Sequence, residues 1–313
     1  MVGTGHRYGR KCPGVSVLSN LCDMNPAESP LAWHLTDCPR DAMQGVDVFI
    51  PTDRKVAYLS ALMAVGFDTL DAGSFVSPKA IPQMADTGLV LDALPESDTR
   101  ILAIVANLRG AEDALAHGRP DILGFPFSIS ETFQKRNTGG GIEEGWRRLD
   151  AIRNAVDRHG RSMVAYLSMG FGNPYGDDWS AAMVCDWCGR LYEDLGIQRI
   201  ALSDTVGQAS PERVKDVCTM VSKALPELEV GAHLHGRPEH ARELMEAAWH
   251  GGCRSFDGAL GGHGGCPMAK DDLVGNLPTE VMMKAPSDWG GAEKEWDWRA
   301  LERAQEIQRE IFS

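Results

Sequence analysis

From about residue 31 onward, short apolar runs alternate with longer stretches in which apolar residues recur every three or four positions. The short runs fit strands and the longer ones fit amphipathic helices. Candidate strands are LAWHLTD (31–37), FDTLDAG (67–73), ILAIVA (101–106), DILGFPF (121–127), SMVAYLSM (162–169), QRIALSD (198–204), LEVGAHLH (228–235) and CRSFDGA (253–259). Helices are expected between them, at 53–65, 142–158, 178–194, 211–223 and 238–249. The fourth has an explicit start: Ser210 at the N-cap, Pro211 at the first helical position and Glu212 in the first turn. Eight β-α units over roughly 250 residues is the size of a (β/α)8 TIM barrel. An open doubly wound sheet is the alternative, but no GxGxxG follows the first strand and no GxxxxGK[ST] occurs. The expected organisation is an irregular extension over 1–30, then a barrel domain over 31–313 that closes with a helical segment.

In such a barrel the chemistry gathers at the C-terminal strand ends. Those ends carry Asp37, Cys38, Arg40 and Asp41 after the first strand and Asp71 on the second. Ser168 lies beyond Tyr166 on the fifth, and Asp204 ends the sixth. His233 and His235 end the seventh, and Asp257 ends the eighth. Alternate residues of a strand share a face, so His233 and His235 can grip one ion. An isolated HxH is a weak signal, and loop histidines would read the same way. Company on one rim gives this pair its weight. Asp41 adds a carboxylate and Asn276, beyond the last strand, an amide oxygen. Mixed oxygen and imidazole ligands suit Mg2+ or Mn2+, with zinc second. The segment GALGGHGGCPMA (258–269) holds five glycines and places Cys266 near its end, where a thiol on a loop over the site can move protons. Arg40 beside the carboxylate can stabilise an enolate oxygen. Together these groups suit making or breaking a C–C bond next to a carbonyl.

Composition narrows the partners. The 313 residues carry a formal net charge of −13, which excludes a generally basic face for nucleic acid or anionic membranes. No apolar run is long enough for a membrane span. Eight scattered cysteines fit a reduced intracellular protein, and the Cys185–Cys188 CxxC falls on a predicted helix without a second pair. The basic N-terminal stretch lacks the apolar core of a secretory signal. The expected location is the cytoplasm and the expected assembly a homodimer.

The motifs PRDAMQ (39–44), SFVSPKAIPQM (74–84), SETFQKRN (130–137), DTVG (204–207), HLH (233–235) and GGCPMA…GNLPTE (264–280) resemble the 3-hydroxy-3-methylglutaryl-CoA lyase family of TIM-barrel metallolyases. The resemblance covers about 31–285, and the SFVSPK and GGCP stretches are specific to the lyase branch. It implies retro-Claisen cleavage of an acyl-CoA to a keto acid (acetoacetate) and acetyl-CoA, as in leucine degradation. It assigns Asp41, His233, His235 and Asn276 to a divalent ion, Arg40 to the enolate, Cys266 to proton transfer, and Asp71 and Asp204 to the reacting centre and its support. Gln44, Ser74, Tyr166, Lys79 and Lys135 are the expected substrate contacts. Arg136 and Lys270 join the two lysines as candidates for the CoA phosphates. The departures gather at the pocket. Asp71 stands where the family has a glutamate, Ala201 where it tends to have a serine, and Gly45-Val46-Asp47 where it often has Asn-Glu-Lys. An aldolase or synthase acting on a hydroxy or keto acid without CoA, and a non-catalytic metal-binding relative, are the competing readings.

Overall fold

A computed structural model describes residues 29–265 and 274–313. Eight parallel strands close into a barrel in chain order: β1 (His34–Asp37), β2 (Thr69–Ser74), β3 (Arg100–Ile104), β4 (Ile122–Ser128), β5 (Ser162–Ser168), β6 (Arg199–Asp204), β7 (Glu229–Leu234) and β8 (Ser255–Gly258). β8 pairs with β1 over His34–Asp37 and completes the ring. The expected (β/α)8 architecture is therefore the observed one. The outer layer contains α1 (Pro39–Gln44), α2 (Thr52–Val65), α3 (Thr87–Ala93), α4 (Leu108–His117), α5 (Glu131–Thr138), α6 (Ile142–Arg158), α7 (Ala181–Glu193), α8 (Pro211–Ala224), α9 (Ala241–His250), α10 (Thr279–Met282) and α11 (Trp298–Ile311). No described helix is long and apolar enough to cross a membrane.

Local chemistry sets the boundaries. Ser130, Ser180 and Ser210 each accept a backbone N–H from three residues ahead, which starts α5, α7 and α8. The expected helix at 178–194 begins at Ala181 because Ser180 is occupied as its cap. The one expected at 238–249 begins at Ala241, after a single 3-10 turn over Pro238–His240. The first strand is shorter than expected: Leu31 instead makes an isolated bridge with Gly291.

Two apolar layers hold the barrel. The larger one lies between strands and helices, and α11 packs on α2 with Tyr58 edge-on to Phe312 at 6.4 Å. Leu102, Ile104, Ile122, Val164, Tyr166 and Ala201 form a separate cluster inside the barrel. At the N-terminal end the interior is polar: Arg199 donates to Ser255 Oγ at 2.6 Å and pairs with Glu229 at 3.1 Å. β2 carries a bulge between Asp71 and Gly73. It continues to Ser74, so Asp71 lies inside the strand and not at its end. A bulge re-aims the side chains around it. Here it needs a glycine, because a Cβ at Gly73 would sit 2.5 Å from Thr87 Cγ2.

Candidate active site

The short helix α1 carries Arg40, Asp41 and Gln44 over the C-terminal mouth of the barrel. Gln44 Nε2 donates to Asp41 Oδ1 at 2.7 Å, one helical turn back. Arg40 Nη1 donates to Asp41 Oδ1 and to Gln44 Oε1, each at 3.0 Å. Its Nε and Nη2 grip Asp71, at 3.0 Å and 2.5 Å to Oδ2. Such a fork uses the planar guanidinium in a way an ammonium cannot. Burial works against the charge on Arg40, but Asp71 and Asp41 outweigh it and hold the group above the ordinary arginine range. Burial pushes Asp71 up to about 6, with Arg40 pulling the other way. Burial would also raise Asp41, but Arg40, His235 and His233 leave it below the usual carboxylate range.

β7 delivers His233, and His235 follows one residue past its end. His233 and His235 bring their Nε2 atoms to 3.2 Å of each other. Asp41, His233 and His235 each offer a ligand atom within 4.8 Å of the other two. His235 also bridges Asn276 through the backbone, which fixes the segment after the eighth strand beside the seventh. Asn276 Nδ2 donates to Asp41 Oδ2 at 2.7 Å and to the His263 carbonyl at 2.9 Å. Its Oδ1 is buried and has no partner. A buried amide oxygen left unpaired is costly, and a cation shared with the two facing imidazoles would satisfy all of them. The donor set therefore fits a divalent ion. Asp257 Oδ2 stands 3.3 Å from His233 Nδ1, off the line of a good hydrogen bond. Burial lowers His233, yet the Asp257 carboxylate holds it above the ordinary histidine range. Burial, followed by the neighbouring His233, pulls His235 down to about 4 and so keeps it neutral.

These groups open into a cavity of about 550 Å3. Arg40, Asp41, His233 and His235 line one wall, with Ser168 and Thr205 beside them. The rest is mostly apolar: Phe49, Val76, Ile81, Ile104 and Phe133. Tyr166 lines the cavity and sets its ring edge-on to His233 at 5.4 Å.

The HMGL-like family model matches residues 32–307. The chain belongs to the HMGL-like family. It is 33% identical over 285 residues to the mitochondrial hydroxymethylglutaryl-CoA lyase of Mus musculus, covering 90% of this chain and 87% of that one. A Bacillus subtilis hydroxymethylglutaryl-CoA lyase is 33% identical over 243 residues, 77% and 80% of the two chains. A crystal structure of an HMG-CoA lyase from Bacillus subtilis superposes with a TM-score of 0.83 at 29% identity, covering 91% of this chain and 95% of that one. An HMG-CoA lyase from Acinetobacter baumannii in complex with coenzyme A and 3-methylmalate superposes with a TM-score of 0.81 at 28% identity, covering 90% and 92%. As a member of the HMGL-like family the chain is a carbon–carbon lyase of the retro-Claisen type, and the family depends on a divalent metal.

The expected residues fall into four groups. Arg40, Asp41, Gln44, Tyr166, His233 and His235 line the cavity, and Asn276 closes the ligand set from behind Asp41. Asp71, Asp204 and Ser74 are buried behind the wall. Asp71 meets the cavity only through Arg40. The Asp204 oxygens accept the backbone N–H groups of Gln208 and Ala209, so this carboxylate braces the β6–α8 loop and does not face a substrate. Ser74 Oγ accepts from Val76 N and starts the following loop. The two lysines do not line the cavity. Lys135 is exposed and paired with Glu131 at 3.0 Å, away from the cavity wall. Lys79 is exposed on the rim next to Ala80, which does line the cavity. Arg136 lies over the Tyr175 ring at 4.5 Å. Cys266 and Lys270 lie outside the described residues.

One residue escaped the sequence reading although it sits inside SFVSPKAIPQM. Gln83 is buried and joins two rim loops. Its Nε2 donates to the carbonyls of Val46 and Val48, both at 3.0 Å, and its Oε1 accepts from Ile50 N at 2.8 Å. Only a side chain with both amide atoms meets these three demands, and no periodicity signals that.

Proposed function

We propose that this lyase cleaves 3-hydroxy-3-methylglutaryl-CoA, or a 3-hydroxyacyl-CoA with a larger group at C3, to a keto acid and acetyl-CoA, with Mg2+ or Mn2+ as its ion. One observation carries the reading. Asp41, His233, His235 and the unpaired Asn276 Oδ1 converge beside the Arg40–Asp71 fork, at the wall of a cavity whose remaining lining is mostly apolar. The ligands named would hold the ion, and when bound it supplies Lewis acidity to the substrate oxygens.

The chain's own groups do the rest. The cavity's apolar walls exclude water from the acyl group and strengthen every charge interaction inside it. Arg40, kept cationic and oriented by Asp71 and Asp41, faces the charge that develops on the departing thioester enolate. Cleavage moves the hydroxyl proton to a base as the C2–C3 electrons become the enolate. Cys266, in a glycine-rich stretch of sequence, is the donor that the family resemblance assigns to return a proton to the enolate carbon. Position 71 reaches the cavity only through Arg40, so a carboxylate one methylene shorter than the family's glutamate would make room for a C3 substituent larger than methyl by drawing Arg40 back from the cavity.

The test is kcat/KM for a series of 3-hydroxy-3-alkylglutaryl-CoA esters and for the free acids, with chelator-stripped protein as control. Metal-dependent acetyl-CoA release is expected, with a preference of roughly 10–200-fold per pocket methylene. An optimum at methyl would remove the enlarged pocket and keep the lyase. The cavity offers Asp47 on its lining, and its cation Arg40 is already paired, so the free acids are the serious rival. Equal or faster cleavage of the free acids would refute CoA dependence. His235→Ala is expected to lose both ion and turnover.

A further inference from the structure

Directly beneath the upper ligand set lies a second one. Cys38, His233 and Asp257 each offer a ligand atom within 4.8 Å of the other two. Cys38 precedes α1, and its side chain makes no capping bond there. Its backbone N–H is tied to the Gly258 carbonyl at 2.8 Å, which holds the residue against the end of β8. The thiol is fully buried, and the Asp257 carboxylate is nearly so. His233 Nδ1 is buried without a hydrogen-bond partner and faces Asp257. The reading of the site given above uses Nε2 of His233 and faces Nδ1 to the Asp257 carboxylate, as is usual for the second nitrogen of a ligating imidazole, but it leaves the adjoining Cys38 thiol without a task.

We propose that Cys38, His233 Nδ1 and Asp257 form a second metal position that takes soft or borderline divalent ions, Zn2+ or Cd2+, in competition with the oxygen-rich position above it. The ligand types make the division. A thiolate selects soft ions, whereas Asp41 with an amide oxygen suits Mg2+ or Mn2+. Binding below converts the Cys38 thiol to a metal-bound thiolate, and its proton leaves to solvent. Burial and the surrounding carboxylates favour the protonated thiol when no ion is there.

Sharing His233 makes the two positions exclusive. A neutral imidazole has one lone pair, and its other nitrogen carries the proton. When Nδ1 ligates the lower ion, Nε2 is N–H and cannot ligate the upper one. A soft ion therefore inhibits by switching the tautomer of a ligand, without entering the substrate cavity.

The experiment titrates Cd2+ into the chelator-stripped full-length chain and follows ultraviolet thiolate-to-cadmium absorption. It needs no substrate, so its outcome is independent of the lyase reading. One equivalent should produce the band, saturating Mn2+ should remove it, and Cd2+ should release Mn2+ as read by electron paramagnetic resonance. Cys38→Ser should lose the band and keep Mn2+ binding, while Cys266→Ser keeps the band. Should Cys38→Ser fail to fold, Cd2+ protection of Cys38 from alkylation in the wild-type chain, mapped by mass spectrometry, gives the same answer. A band that survives Cys38→Ser or is lost with Cys266→Ser overturns the proposal, as does cadmium that leaves Cys38 open to alkylation. Simultaneous binding of Cd2+ and Mn2+ overturns the shared-imidazole exclusion on which it rests.

Discussion

Asp37 at the end of β1 is expected to make this protein less stable as pH rises from 4 to 8. The carboxyl is fully buried. Oδ1 accepts from Thr279 Oγ1 at 2.5 Å, and Oδ2 has no partner. Burial, only partly offset by the Thr279 hydroxyl, pushes its pKa from the ordinary 3.8 to about 7. The folded value lies above the unfolded one, so the fold favours the protonated form. That contribution is complete below pH 3.8 and is lost as pH rises through 7. About three pH units at roughly 1.36 kcal/mol each set the scale at about 4 kcal/mol. Asp37→Asn keeps the shape and removes the titration. Its new amide N–H carries a cost of its own, about 1–3 kcal/mol, that does not vary with pH. The quantity to follow is therefore the stability of the Asp37→Asn variant minus that of wild type, from urea unfolding at several pH values and one metal concentration. The difference should shift in favour of the variant by about 4 kcal/mol between pH 4 and pH 8. A difference that stays flat across that range would refute the assignment of a neutral Asp37.

Arg40→Lys should leave Asp71 and the Asp41–Gln44 pair without a common donor, and slow turnover by roughly 10²–10³-fold; a rate near wild type would mean that the fork is structural only. Cys266→Ser should retain the ion and lose roughly 10²–10⁴-fold in kcat if the thiol carries a proton, and undiminished turnover would remove the thiol from the reaction. Gln83→Leu removes three hydrogen bonds between the rim loops and should cost about 2–4 kcal/mol of stability. Because those loops form cavity wall, KM should rise more than kcat falls; an unchanged KM in folded protein would separate the brace from the site.

Alternation of short apolar runs with helical periodicity was enough to place all eight strands and the main helices, because each barrel unit must bury one face of a helix on a strand. The same pattern, read with the rule that strand ends carry the chemistry, brought Asp41, His233 and His235 to one rim, since alternate residues of extended chain at the end of β7 share a face. What pattern could not supply was the direction of side chains whose partners come from distant segments. Asp204 ends β6 as expected, yet it turns to the amides of its own loop. Lys135 belongs to a motif of the family and still points outward to Glu131, because a helical i,i+4 partner lies beside it. Gln83 stands among unremarkable neighbours, and its role exists only once the loop after β1 reaches it from 33 residues away. Cys38 meets His233 and Asp257 only because β8 closes on β1, a contact made by ring closure of the whole chain and by nothing local.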